Sequence, residues 1–144
     1  MSKSDPSLTV AINQKTGDFA IINLAVDPKF GFQRGWGPLV HVPRSQMQKE
    51  GLSIVLDNLA GFHDRNGDDG GELDGDPVKQ RKFCKLHKEI SISIRGKNSL
   101  VLSPFRRNSR GGGASEYEDV ITLPFPYTND QFIEALQLAE TRAQ

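Results

Sequence analysis

The sequence predicts an α+β protein: an antiparallel sheet of about five or six strands with two helices packed on it. Three observations lead there. Ile90, Ile92 and Ile94 alternate with Ser91, Ser93 and Arg95, the period of a half-buried strand. Two later segments carry apolar residues at helical spacing instead. The order of these patterns is strands, helix, strands, helix, which suits hairpins with helices laid on one face.

The elements follow in chain order. Residues 1–7 read as a loose tail. Leu8–Ile12 and Phe19–Val26 are β-rich runs joined by the polar stretch Asn13–Asp18, a hairpin. Phe19 and Ile21 alternate with Ala20, Ile22, Leu24 and Val26, so the second strand has apolar residues for both faces and reads as central. Asp27 and Pro28 break it. Residues 29–38 hold three glycines and a proline beside Phe30, Phe32 and Trp36, a composition expected to form a structured loop without a regular element. Leu39–Val42 resumes as a short strand. Ser45 and Gln48 have the spacing of a capping box. Met47, Leu52, Val55, Leu56, Leu59 and Phe62 then recur on one helical face, giving a helix over Gln46–Phe62 with Gly51 as a weak point.

Residues 63–78 are glycine-rich and acidic, and are expected to form an exposed loop. Beyond it Phe83 and Cys84 are assigned to the approach of the Ile90–Arg95 strand. Gly96, Lys97 and Asn98 turn the chain into Leu100–Phe105. Residues 106–116 form a second loop, basic and glycine-rich, before a strand over Tyr117–Leu123. Thr128 and Gln131 supply a capping box for a helix over Asn129–Thr141, whose stripe is Phe132, Ile133, Leu136 and Ala139.

At 144 residues the chain fits a single domain over 1–144, able to bury a core without staples. Lys plus Arg equals Asp plus Glu, 18 against 18, so no global attraction to nucleic acid or anionic lipid is expected. The first residues lack the plan of a signal peptide, and no apolar run is long enough to span a bilayer, so the expected compartment is the cytoplasm. The lone Cys84 excludes an intramolecular disulfide and a thiolate-only zinc site.

The most informative stretch is Asp64–Lys88, where charge changes sign. Asp64, Asp68, Asp69, Glu72, Asp74 and Asp76 precede Lys79, Arg81, Lys82, Lys85 and Lys88. Charge sorted this way gives a local field that the net charge conceals. Asp64, Asn66 and Asp68 match the first, third and fifth positions of a calcium loop, but Asp69 stands where that loop needs glycine and Gly75 where it needs a bidentate glutamate. No metal or other cofactor is therefore expected. His41, His63, His87 and Cys84 could serve as bases and nucleophile, yet no spacing pairs them, so the chain is not expected to be an enzyme. The basic segments 79–88 and 106–110 offer an alternative, a nucleic-acid-binding module. They lack interleaved aromatic residues and any recognition fingerprint. The acidic stretch instead suits a basic macromolecular surface, with Trp36, Phe32 and Tyr127 as candidate dry anchors.

The segment from Phe30 to Pro43, followed by a helix, and the closing Ile121–Leu136 resemble bacterial immunity proteins, in particular those of contact-dependent growth inhibition systems. The resemblance covers about a third of the chain and carries over no site residue. It implies a small cytoplasmic protein that binds one cognate toxin domain and holds it inactive. Many such toxins are nucleases with basic clefts, which the acidic stretch could occlude. The expected partner-binding residues are thus Asp64, Asp68, Asp69, Glu72, Asp74, Asp76, Trp36 and Tyr127.

Overall fold

The computed structural model describes residues 5–29, 31–67, 69–107, 113–114 and 120–144. The chain runs through β1 (Ser7–Asn13), β2 (Phe19–Val26), β3 (Gln33–Gly35), β4 (Val40–Val42), α1 (Arg44–Ala60), α2 (Pro77–Leu86), β5 (His87–Arg95), β6 (Ser99–Pro104), β7 (Arg106–Arg107), β8 (Gly113–Ala114), β9 (Ile121–Leu123) and α3 (Asn129–Arg142). Among the described residues seven strands form one antiparallel sheet in the order β3-β2-β1-β5-β6-β9, with β4 also paired to β2.

The expected α+β class is what the chain adopts. Asn13 folds the first hairpin: its side-chain oxygen accepts from the Lys15 and Thr16 amides at 2.8 and 3.1 Å. Register then follows the apolar face. Val10 lies opposite Ile90 and Leu8 opposite Ile92, while Ile92 meets Leu102 and Ile94 meets Leu100. These side chains and those of Phe19 and Ile21 pack against Met47, Val55 and Leu59 of α1 and Phe132, Leu136 and Ala139 of α3. The two helices therefore cover one face of the sheet. On β2 the opposite face is covered as well, as expected: Ala20 is buried, and Ile22, Leu24 and Val26 are half-buried.

Several local expectations are corrected. The tail is shorter than 1–7, because Ser7 pairs with Ser93 and the Pro6 carbonyl accepts from Ile94 at 3.0 Å. The segment after Pro28 does hold a regular element, the short strand β3, since Gln33–Gly35 pairs with Leu24–Val26. Helix α1 begins at Arg44 with Pro43 in the cap position and no side-chain cap. Ser45 is thus already inside the helix and its capping box does not form. Asp18 substitutes, accepting the Arg44 amide at 3.1 Å across the hairpin. Gly51 is where α3 comes close: a Cβ there would stand 3.0 Å from Ile133 and 3.2 Å from Phe132. Beside it the Asn129 carboxamide donates to the Gln48 carbonyl at 3.1 Å and accepts from the Leu52 amide at 3.0 Å, the pair that a helical ladder normally joins. The capping box of Thr128 and Gln131 forms as expected.

The largest correction concerns α2. Residues 77–86 were expected to be loop and then strand; they are helical, with the Asp76 side chain accepting from Lys79 at 3.0 Å and Pro77 in the first turn. Cys84 consequently stands on a helix, half-buried, and not in a strand. The basic loop expected over 106–116 is paired at its ends, Arg106 with Ala114 and Arg107 with Gly113. Residues 108–112 and 115–119 of that region, including Arg110 and Tyr117, lie outside the described residues, and the strand expected over Tyr117–Leu123 is seen at Ile121–Leu123.

Candidate protein-binding surface

The acidic stretch is a strap. It leaves the end of α1, crosses the β3 edge and reaches the face of the sheet opposite α1 and α3. Phe62, 2% exposed, anchors its start beneath the turn Phe62–Asp64. Arg65 turns inward. It donates to the Leu24 carbonyl at 3.1 Å and to the Asn58 carbonyl, and its guanidinium lies over the Trp36 ring, 5.2 Å from the centroid. Burial pulls its pKa below the ordinary guanidinium value.

Two glycines let the strap lie directly on β-structure. A Cβ on Gly67 would fall 2.0 Å from the Val26 carbonyl oxygen, and one on Gly71 would fall 2.9 Å from the Gly35 carbonyl carbon. Arg34 grips the first crossing, donating from Nε to the Gly67 carbonyl at 2.7 Å while facing Asp27 at 3.5 Å. At the second crossing, the Gly37 amide donates to Gly70 at 2.8 Å and the Glu72 amide to Gly37 at 3.0 Å.

The acids are held by this frame. Asp69 accepts from the Trp36 indole at 3.2 Å. Glu72 accepts from the Leu39 amide at 3.2 Å and faces Lys79 at 3.7 Å. Asp74 accepts from the Gly71 amide at 2.7 Å, and Asp76 caps α2. Asp64 lies exposed at the end of its turn. Each of these carboxylates stays at the surface, yet only Glu72 faces a cation among the described residues. Asp68 falls outside the described residues. The calcium-loop reading meets a different arrangement: no group of three His, Cys, Asp or Glu among the described residues is placed to hold a metal ion.

The structure thus brings together Asp64, Asp69, Glu72, Asp74, Asp76 and Trp36. It does not bring Tyr127 to them. Trp36 follows β3 at one edge of the sheet, whereas Tyr127 lies between β9, at the other edge, and α3. Tyr127 packs on the core and meets the Phe125 ring edge-on at 5.8 Å; burial raises its pKa above 10.0. Phe32, in contrast, is 53% exposed beside β3, near the strap's first crossing.

Sequence reasoning missed α2 and the clefts beneath it. Two clefts of about 360 and 240 Å³ share Leu39, Glu72, Leu73 and Phe83 as a common wall. The larger holds His41, Lys79, Lys82 and His87; the smaller holds Trp36, Cys84 and Glu89. His87 is buried, its Nδ1 is 2.8 Å from the Phe83 carbonyl and its ring stacks on Phe83 at 3.9 Å. His63 is exposed against the edge of Phe62. The signal for α2 was present in Asp76-Pro77, an N-cap followed by a first-turn proline.

Comparison with protein-family models finds no match, and comparison with curated proteins finds none either. Among solved structures the chain is similar to a protein of unknown function from Neisseria meningitidis. The TM-score is 0.69 at 16% identity, over 100% of this chain and 99% of that one. The likeness is one of fold. No helix among the described residues is long and apolar enough to cross a membrane.

Proposed function

We propose that this chain is an immunity protein, which binds a cognate toxin domain and blocks that domain's basic active surface with the 64–76 strap. The observation that carries the reading is the set Asp64, Asp69, Asp74 and Asp76: four surface carboxylates that face no cation among the described residues, set on a frame pinned to β3. A preorganised anionic surface loses little entropy on docking and steers a cationic partner to it. Trp36 and Phe32 beside it supply the apolar contact that exposed ion pairs alone cannot. In this reading the chain works by occlusion in the cytoplasm and transforms no substrate. The resemblance of residues 30–43 and 121–136 to immunity proteins names the kind of partner.

The alternative, a nucleic-acid-binding module, is disfavoured by placement. Lys79, Arg81, Lys82 and Lys85 are exposed on α2, but the strap carboxylates sit at the N-terminal end of that same helix and would repel phosphates.

The test is to capture the protein that co-purifies with this chain, co-express its toxin domain with the chain, and measure their affinity at low and high salt. A variant with Asp64, Asp69, Asp74 and Asp76 all changed to Asn keeps the hydrogen-bond acceptors and removes the charge. It should fold as the parent does, bind more weakly and lose most of the salt dependence. Affinity unchanged at low salt rejects the strap as the binding surface.

A further inference from the structure

The two edges of the sheet are treated differently. At β3 the strap lies across the edge, through the Arg34 grip on Gly67 and the bridge between Gly37 and Gly71. At β9 the residues Ile121–Leu123 pair with β6 on one side, and among the described residues no backbone group pairs with them on the other. An open edge is a template for a further strand unless it is covered, charged or bulged. Among the described residues it is none of these: its sequence is Ile121, Thr122, Leu123.

A groove of about 260 Å³ runs between this edge and α3, lined by Ile121, Leu123, Ala135 and Leu138 with Gln131 and Glu134 on its rim. Leu138 is 44% exposed, and Phe125, just past the end of β9, is 62% exposed. These are two of the four large apolar side chains that the described residues leave in water. Glu134 is the groove's one charged residue, is exposed, and faces no cation among the described residues.

We propose that β9 is a docking edge for an extended segment of another protein, with apolar side chains facing α3 and one Lys or Arg beside Glu134. A residue paired opposite Ile121 or Leu123 points to the same face of the sheet, so alternate side chains of the incoming strand drop into the groove. Charge complementarity selects the cation. The same unpaired carboxylate argues against a second copy, because α3 beside its own two-fold mate would bring Glu134 toward Glu134. The inference is independent of the strap, which lies at the opposite edge.

The probe is a capped, fluorescein-labelled heptapeptide, TVTVTKT, whose valines and lysine occupy one face; TVTVTET is its partner. Binding is followed by anisotropy. The lysine peptide should bind more tightly than the glutamate peptide, by about threefold for one exposed pair. Glu134→Lys should reverse that order. N-methylation of one alternate set of peptide amides should abolish binding and methylation of the other set should leave it, because only one set faces β9. The proposal is overturned if both methylation patterns act alike, or if Glu134→Lys leaves the preference as it was. Loss of binding on Asp64→Asn with Asp69→Asn would place the peptide on the strap, overturning this proposal without touching the strap reading. A parent chain that sediments as a dimer and dissociates on Glu134→Lys would assign the edge to a second copy, and would also overturn it.

Discussion

Replacing Gly67 with Ala tests whether the strap is a rigid surface or a loose loop. The backbone at Gly67 is not among those with positive φ, so the added methyl acts through contact alone. Its Cβ would stand 2.0 Å from the Val26 oxygen, 2.8 Å from the Val26 carbon and 2.9 Å from Pro28 Cδ. None of these atoms is the free end of a flexible chain, so the strap has to lift by about 1 Å or more to restore ordinary separations. That motion pulls the Gly67 carbonyl away from Arg34, which now holds it at 2.7 Å. Overpacking typically costs about 1–3 kcal/mol. The weakened charge-assisted bond adds about 1 kcal/mol or more, and the stiffer unfolded chain returns about 0.5–1 kcal/mol. The expected net loss is about 1–3 kcal/mol in the stability of the strap. Trp36 is the only tryptophan, and both Asp69 and Arg65 hold its ring from the strap, so its emission reports the detachment directly. Amide exchange at Gly37 and Glu72 should accelerate with it. Gly75→Ala is the control, since nothing lies within 4 Å of a Cβ there and only its backbone conformation, φ 78°, opposes the change. If Gly67→Ala leaves the Trp36 emission, the exchange rates and the urea midpoint where they were, the pinned strap is wrong.

Two further outcomes follow from other parts of the molecule. Arg44 joins three elements: Nε donates to Gly17 at 2.7 Å, Nη2 to both Glu140 oxygens at 2.9 and 3.0 Å, and the guanidinium lies 4.9 Å from the centre of the Phe19 ring. Both side chains of the ion pair are about one-third exposed or less, so a double-mutant cycle on Arg44 and Glu140 in urea unfolding should give a coupling of about 1 kcal/mol. Arg44→Lys should lose most of it, because an ammonium cannot keep the fork and the ring contact together. The Tyr127 phenol should ionise above 10.0 in a phenolate absorbance titration of a Tyr117→Phe variant. The unfolded chain ionises first as pH rises, so the stability tied to this group is intact below pH 10.0 and is lost as pH climbs through the folded pKa. Titration at or below the ordinary value would contradict its burial.

Local pattern made much of the sheet and two helices legible. Ile90, Ile92 and Ile94 alternate because one face of β5 meets α1 and α3 while the other does not, and the stripe of α3 follows the same logic at helical period. The Thr128 box was legible because every atom it uses lies within three residues. The Ser45 box had the same letters and failed, because Pro43 takes the cap position and Asp18, distant in sequence, supplies the acceptor. Helix α2 escaped because its apolar side is short: Phe83, Cys84 and Leu86 are only half-buried, and Lys79, Arg81, Lys82 and Lys85 crowd the same ten residues.

By itself the sequence determined the class of fold, the faces of its strands and the crowding of acids into one stretch, all properties of neighbours along the chain. Tertiary structure alone decided that this stretch is a strap laid on β3, because Gly67 and Gly71 find their close partners in Val26 and Gly35, dozens of residues away. It also separated Tyr127 from Trp36 by the width of the sheet, since strand order depends on which edges pair and not on which residues are near in sequence.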